Sequence, residues 1–137
     1  MSGETSLRRL IASMHPMLRE GSFVFVSVEA EAAKAINAEA FVAEAEGITL
    51  VLTQAEADAR GLAYDFIASW ITLEVHSSLS AVGLTAAFSS ALGEAGISCN
   101  VLAGFYHDHL LVPEPEAKRA IEILSRMSEA AAGGNLQ

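Results

Sequence analysis

The spacing of apolar and polar positions predicts short helices and strands that follow one another closely along the chain. Apolar residues that recur every three or four positions predict helices, and compact or alternating apolar runs predict strands. The predicted helices cover residues 7–14, 30–36, 53–60, 84–95 and 117–127. The predicted strands cover residues 23–28, 40–44, 48–52, 66–75, 97–105 and 109–112. Thr53 and Glu56 have the form of a capping box that opens the third helix.

Two parts of the sequence resemble each other. Residues 50–57 align without a gap with residues 110–117, at an offset of 60. In both stretches an apolar strand end turns directly into a helix with a glutamate in its first turn. Upstream, a helix–glycine–strand unit recurs at an offset of 75, with Gly21 matching Gly96. The two offsets differ, which predicts a 15-residue insertion in the Ala-rich stretch 30–46 of the first half.

The order of elements predicts the fold class. Both halves run helix, strand, strand, helix, and a unit of this kind preceded by a strand is the core of a ferredoxin-like module. The sequence therefore predicts an α+β protein of two tandem βαββαβ modules, with antiparallel sheets and helices on one face. The predicted halves are residues 1–62 and 63–137. Because each half lacks one strand, each is expected to complete its sheet with a strand from the other.

Charge and composition narrow the range of partners. The net charge is −9, and the basic residues form no cluster larger than a pair, which disfavours nucleic acid and anionic membranes as partners. The apolar runs are far shorter than the roughly 20 residues that a membrane-spanning helix needs. No basic patch followed by an apolar run opens the chain, and a single cysteine, Cys99, excludes an intramolecular disulfide. These features predict a cytoplasmic protein.

The segments Ser80–Phe88 and Leu92–Asn100 resemble the strand–loop–helix and helix–strand junctions of ACT domains. The whole chain is also similar to a family of small bacterial proteins of unassigned function with two ACT-like modules. The segments that carry this similarity are Leu10–Pro16, Gly21 with Phe23–Phe25, Glu46–Thr49, and Tyr106–His109 with Val112 and Pro113. The resemblance covers residues 5–128.

The resemblance implies a small-molecule site, because ACT modules bind amino acids or similar ligands at module–module interfaces. Carried onto this chain, it points to Ser80, Val82, Gly83 and Leu84 in the strand-to-helix loop, with Asn100 from the next strand. The family's loop has an aspartate and a proline before the glycine, and here Ser80 and Val82 stand in those places. A helix N-terminus favours a carboxylate. The alternatives are that Gly83 serves close packing and that Asn100 satisfies a backbone group.

His107 and His109 are the candidate metal ligands, because side chains two positions apart on an extended chain point to the same side. Further ligands are lacking nearby in the sequence, although His76 at the end of the long strand is a candidate third ligand. The alternative is a polar turn in which Asp108 bonds its own backbone. Cys99 is interpreted as a small core residue. No phosphate loop, nucleophile elbow or CxxC motif is present in the sequence.

The sequence therefore predicts a non-enzymatic regulatory protein that binds or senses a small molecule, with amino acids as the first ligand class. We expect it to need no cofactor and to form a homodimer, because bare sheet edges and faces invite pairing. Two alternatives remain open. One is a structural interaction module whose pocket has degenerated, and the other is a metal-dependent enzyme centred on His107 and His109.

Overall fold

The structure is a computed structural model that describes residues 6–75, 79 and 81–133. The helices are α1 (Leu7–Ser13), α2 (Ala30–Ala33), α3 (Gln54–Ala59), α4 (Leu84–Glu94) and α5 (Ala117–Ala132), and a 3₁₀ turn at Glu114–Glu116 precedes α5. The strands are β1 (Pro16–Leu18), β2 (Phe23–Val28), β3 (Ala40–Ala43), β4 (Ile48–Thr53), β5 (Ile67–Leu73), β6 (Asn100–Ala103) and β7 (Asp108–Pro113). Within these described residues, none of the helices is long and apolar enough to cross a membrane.

The chain folds into two compact units. Glu20–Ser69 form one of them, here called the inserted unit. Residues up to Arg19 and residues from Trp70 onward form the other, here called the flanking unit. The predicted α+β fold with ferredoxin-like modules and antiparallel strands is confirmed. The predicted halves 1–62 and 63–137 concern the sequence repeat and stay a prediction.

The inserted unit has an antiparallel sheet in the order β3, β4, β2, followed by the first residues of β5. Phe23 of β2 lies opposite Ala68 of β5, so β5 closes this sheet as the last strand of the module. Its core consists of Val24, Val26, Leu50, Leu52 and Ala57. The Thr53 side chain accepts a hydrogen bond from the Glu56 N–H at 3.2 Å, which begins α3 as the capping pattern predicts.

The flanking unit contains the strands β1, β5, β7 and β6, in that order. The N-terminal strand β1 pairs antiparallel with β5, with Pro16 opposite Leu73, and it supplies the strand that the C-terminal half lacks. The sequence pattern did not predict β1. Helices α1, α4 and α5 contribute to one apolar core with β5 and β7. Its fully buried members include Leu10, Ile71, Leu73, Phe88, Leu92, Leu110, Val112 and Leu124.

The insertion predicted in residues 30–46 is wrong. This stretch contains α2 and β3, which are core elements of the module and correspond to α4 and β6. The two β-hairpins keep the offset of 60 throughout, since Ala43 pairs with Ile48 as Ala103 pairs with Asp108. The modules differ instead in their first helix, which has 4 residues in α2 and 11 in α4. The mismatch arose because α1 was aligned with α4.

Candidate functional site

The flanking unit contains a cavity of about 130 Å³ at the start of α4. Its walls come from the loop before α4, the first turn of α4 and the adjoining ends of β6 and β7. The lining residues are Leu79, Ala81, Gly83, Leu84, Thr85, Ala103 and Asp108. The cavity therefore joins a helix N-terminus to one acidic side chain on the sheet.

Gly83 begins α4 in a backbone conformation that favours glycine. Its φ angle is 102°, in the left-handed region, where an L side chain costs roughly 1–2 kcal/mol. A Cβ atom at this position would lie 3.1 Å from Cδ2 of Leu7 in α1. Gly83 therefore packs closely against α1 and lies in the cavity wall, and its role in binding a ligand stays a prediction.

The N-terminus of α4 lines the cavity, and the first turn of this helix contributes no negatively charged side chain. No side chain of residues 6–75, 79 and 81–133 caps this helix. The first N–H groups of a helix have no partner within the helix and carry a partial positive charge. Because Gly83, Leu84 and Thr85 line the cavity, this end of the helix is placed to receive a negatively charged group.

Asp108 is the acidic group of the cavity, and only 9% of its surface is exposed. It opens β7 opposite Ala103 of β6. Because side chains alternate along a strand, Asp108 lies on the same face as Leu110 and Val112, which belong to the core under the helices. Burial raises the pKa of the Asp108 carboxyl group, and the nearby His109 lowers it by a smaller amount.

The interpretation of Asp108 as a turn residue is wrong. The turn runs from Gly104 to His107, where the Gly104 N–H donates to the His107 carbonyl oxygen at 2.9 Å. The Asp108 side chain has no hydrogen bond or ion pair with any residue in the described part of the chain. Alternation counted back from Val112 through Leu110 was the signal that placed this residue inside.

The structure brings together only some of the residues that the resemblance implied. Gly83 and Leu84 line the cavity, whereas Val82 is 84% exposed and does not line it. Asn100 is exposed at the far end of β6 from Ala103, and its Nδ2 atom donates to the Leu111 carbonyl oxygen at 3.5 Å. Ser80 lies outside the described residues. A ligand-binding role for these residues stays a prediction.

The inserted unit has a cavity of about 410 Å³ beside α2, the segment that follows α2 and the β3–β4 hairpin. Its lining residues are Ala30, Ala33, Lys34, Ile36, Asn37, Ala38, Phe41, Ile48 and Leu50. Ile48 occupies the hairpin position that Asp108 has in the flanking unit, and Glu29 stands before α2 where Gly83 stands before α4. This cavity therefore involves the segment after its helix rather than the loop before it, and its lining residues include no acidic side chain.

His109 lies on the other face of the sheet from Asp108, among polar groups of β5. Its Nδ1 atom is 3.0 Å from Thr72 Oγ1 and 3.3 Å from Trp70 Nε1. The indole N–H can only donate, so this geometry assigns Nδ1 as an acceptor and places the proton of the neutral ring on Nε2. Burial, His107 and Arg19 lower the pKa of His109, and Asp108 partly opposes them.

This environment predicts a loss of stability at acidic pH. The pKa of His109 is lowered from 6.5 on folding, so the unfolded chain takes up the proton more readily. The stabilisation is therefore complete above that ordinary value and is lost as the pH falls through the folded-state pKa. His109→Asn keeps an acceptor but cannot titrate. From about pH 8 to about pH 5, wild type is expected to lose stability relative to this variant in urea unfolding. A pH-independent difference contradicts this prediction.

The remaining candidates for metal binding and nucleophilic chemistry are not assembled into a site within the described residues. No group of three or more His, Cys, Asp or Glu side chains there is arranged to hold a metal ion. His76, which the sequence offered as a third ligand, lies outside them. Cys99 packs against the core of the flanking unit, and burial raises the pKa of its thiol to about 11. At neutral pH this thiol is protonated and is a poor nucleophile.

Comparisons with known protein families agree with this two-module fold. Sequence profiles of the ACT domain match residues 2–69 and residues 66–126. The chain is an ACT-domain protein. Among solved structures, the ACT-domain protein is 43% identical to a Vibrio cholerae protein of unknown function, described as a possible transport protein. The alignment covers 93% of this chain and 99% of that chain, with a TM-score of 0.81.

More distant solved structures share the fold of this ACT-domain protein. The regulatory subunit of aspartate kinase from Thermus thermophilus is 9% identical, with a TM-score of 0.64 over 85% of this chain and 97% of that chain. An Agrobacterium tumefaciens protein is 17% identical, with a TM-score of 0.62 over 84% of this chain and 89% of that chain. A comparison with curated proteins gives no match.

Proposed function

We propose that this ACT-domain protein is a regulatory protein that binds a small molecule, with an amino acid as the ligand, in the cavity of the flanking unit. The observation that carries the proposal is the N-terminus of α4 in the wall of that cavity, which no side chain of the described residues caps. Gly83 lets the backbone approach a ligand without an intervening side chain. The distant similarity in fold to a regulatory subunit of aspartate kinase supports a regulatory rather than a catalytic context.

We propose that the protein binds its ligand and does not catalyse a reaction of it. Asp108 is the only ionisable side chain that lines the cavity among the described residues. A nucleophile–base pair needs two side chains within hydrogen-bond reach of each other, and this cavity has one ionisable side chain among the described residues. Cys99, the sole thiol of the sequence, is protonated because burial raises its pKa to about 11. These features favour recognition over turnover.

The proposal also includes a cytoplasmic homodimer. Several large apolar side chains of the flanking unit are exposed around this region of the chain: Leu79, Val82, Phe105 and Tyr106. Leu79 lines the cavity, and the last two lie in the turn between Ala103 and Asp108 of the cavity wall. Exposed apolar side chains close together mark interaction surfaces in soluble proteins. A second copy packed here would cover the cavity and exclude water from a bound ligand.

Thermal unfolding in the presence of each amino acid tests the proposed function. A compound that binds only the folded state at about 100 times its dissociation constant adds about 2.7 kcal/mol of stability. At least one amino acid is therefore expected to raise the melting temperature at millimolar concentration. If neither amino acids nor related metabolites shift it, the structural interaction module becomes the better interpretation of the chain.

A further inference from the structure

We infer that Asp108 is a binding residue for the ammonium group of the ligand, and that it restricts the site to small molecules carrying both an amine and a carboxylate. This inference rests on the proposed function and adds to it a selecting residue and a ligand class. Asp108 is not among the residues that the resemblance to ACT domains implied. It is identified by its burial, by the lack of a side-chain partner among the described residues and by its place in the cavity wall.

The first argument concerns the state of the Asp108 side chain. A carboxyl group that is nine-tenths buried is almost always paired with a cation or hydrogen-bonded. Asp108 has neither kind of partner within residues 6–75, 79 and 81–133, yet it lies in the wall of a cavity. An ammonium group in that cavity would supply the missing charge and up to three donors.

The second argument concerns the opposite wall. The N-terminus of α4 lines the cavity at Gly83, Leu84 and Thr85, no side chain of the described residues caps it, and the N–H groups of a helix N-terminus attract a carboxylate. The cavity therefore has a negative group on the sheet side and a partial positive charge on the helix side. A zwitterion that carries an ammonium and a carboxylate close together complements both walls. A simple carboxylic acid complements only the helix and leaves Asp108 without a partner.

The size of the cavity restricts the ligand further. Its volume is about 130 Å³, below the roughly 300–1,000 Å³ of pockets that hold drug-sized ligands. The cavity therefore favours a small amino acid such as glycine, alanine or serine. A long or aromatic side chain would have to extend out of the cavity.

The inserted unit provides an internal comparison. At the equivalent positions of its hairpin and helix, Ile48 stands in place of Asp108 and Glu29 stands in place of Gly83. The inserted unit has neither an acidic side chain at this position of the sheet nor a glycine before its helix. The pairing of these two features in the flanking unit is therefore not a requirement of the fold.

Binding of matched pairs of compounds tests the chemistry. Glycine, L-alanine and L-serine are compared with glycolate, L-lactate and L-glycerate, in which a hydroxyl group replaces the ammonium group. Calorimetry on the full chain is expected to show that at least one of these amino acids binds and that its hydroxy acid binds about 10- to 100-fold more weakly. Equal affinity within a pair overturns the role of Asp108 and leaves the proposed function intact.

Two variants locate the effect. Asp108→Asn is expected to weaken binding of the preferred amino acid about 10- to 100-fold, because an amide cannot pair with an ammonium charge. Asp65→Asn removes the same charge from an exposed position of the inserted unit and is expected to bind like wild type. Ligand-free Asp108→Asn is expected to melt no lower than wild type, which separates lost recognition from misfolding.

The outcomes distinguish the two proposals. Unchanged binding by Asp108→Asn overturns the inference alone. The inference alone also fails if a compound without an amine, or only amino acids with large side chains, binds wild type. If no compound of any class binds wild type, the proposed function fails and the inference fails with it.

Discussion

Replacing Phe88 by alanine is expected to destabilise the protein by about 3–5 kcal/mol, the usual cost of removing a buried aromatic ring. Phe88 is 0% exposed and lies in the core of the flanking unit, where α4 faces the sheet. Removal of the ring leaves a cavity that the surrounding side chains fill only in part. Since domains of this size have a total stability of about 5–15 kcal/mol, this one substitution would remove a large share of it.

Urea unfolding followed by circular dichroism measures this effect. The matched control is Phe41→Ala, because Phe41 is 70% exposed on β3 of the inserted unit. The same chemical change there is expected to cost no more than about 0.5 kcal/mol. Similar losses in the two variants would show that α4 is not held in place by Phe88.

The long helices and the hairpins follow from local patterns in the sequence. Leu84, Phe88 and Leu92 recur at helical spacing, and all three are buried in the structure. The offset of 60 seen over a few residues of sequence extends through the strand pairing of both hairpins. Such features depend on residues close together in the chain, so a period of two or 3.6 is sufficient to detect them.

The strand β1 and the division into units depend on distant residues. β1 has only three residues, too few to show a period, and its pairing joins Pro16 to Leu73. The helix α1 then packs in the core of the flanking unit, with Leu10 buried there. Local alignment paired α1 with α4 because both are amphipathic, and the false insertion in residues 30–46 followed from this error.

Asp108 shows why a residue proposed for a site is harder to predict than an element. The segment from Tyr106 to His109 is polar, which favours a turn. The competing signal was the alternation from Val112 and Leu110, which places Asp108 on the buried face. Because an unpaired carboxyl group is rarely buried, the sequence alone favours a turn at Asp108 over a buried strand position. Exceptions of this kind are concentrated at functional sites, where stability is exchanged for binding.

Replacing Gly104 by alanine is expected to cost about 1–3 kcal/mol, because a methyl group enters space that is already filled. The new Cβ atom would lie 2.7 Å from the His107 carbonyl oxygen and 2.9 Å from Nε2 of His109. The carbonyl belongs to the backbone and accepts the Gly104 N–H at 2.9 Å, so the turn has to open.

The consequences of Gly104→Ala reach both faces of the sheet, because the turn precedes Asp108 on one face and His109 on the other. The His109 ring lies with its centroid 5.4 Å from that of Trp70, the single tryptophan of the sequence. Its displacement is therefore expected to change the native fluorescence as well as the unfolding midpoint.

Gly93→Ala is the control, since nothing lies within 4 Å of its Cβ position on α4. That substitution is expected to stabilise the helix by about 0.5–1 kcal/mol. Equal stability and fluorescence in both variants would contradict a closed turn that positions Asp108 and His109.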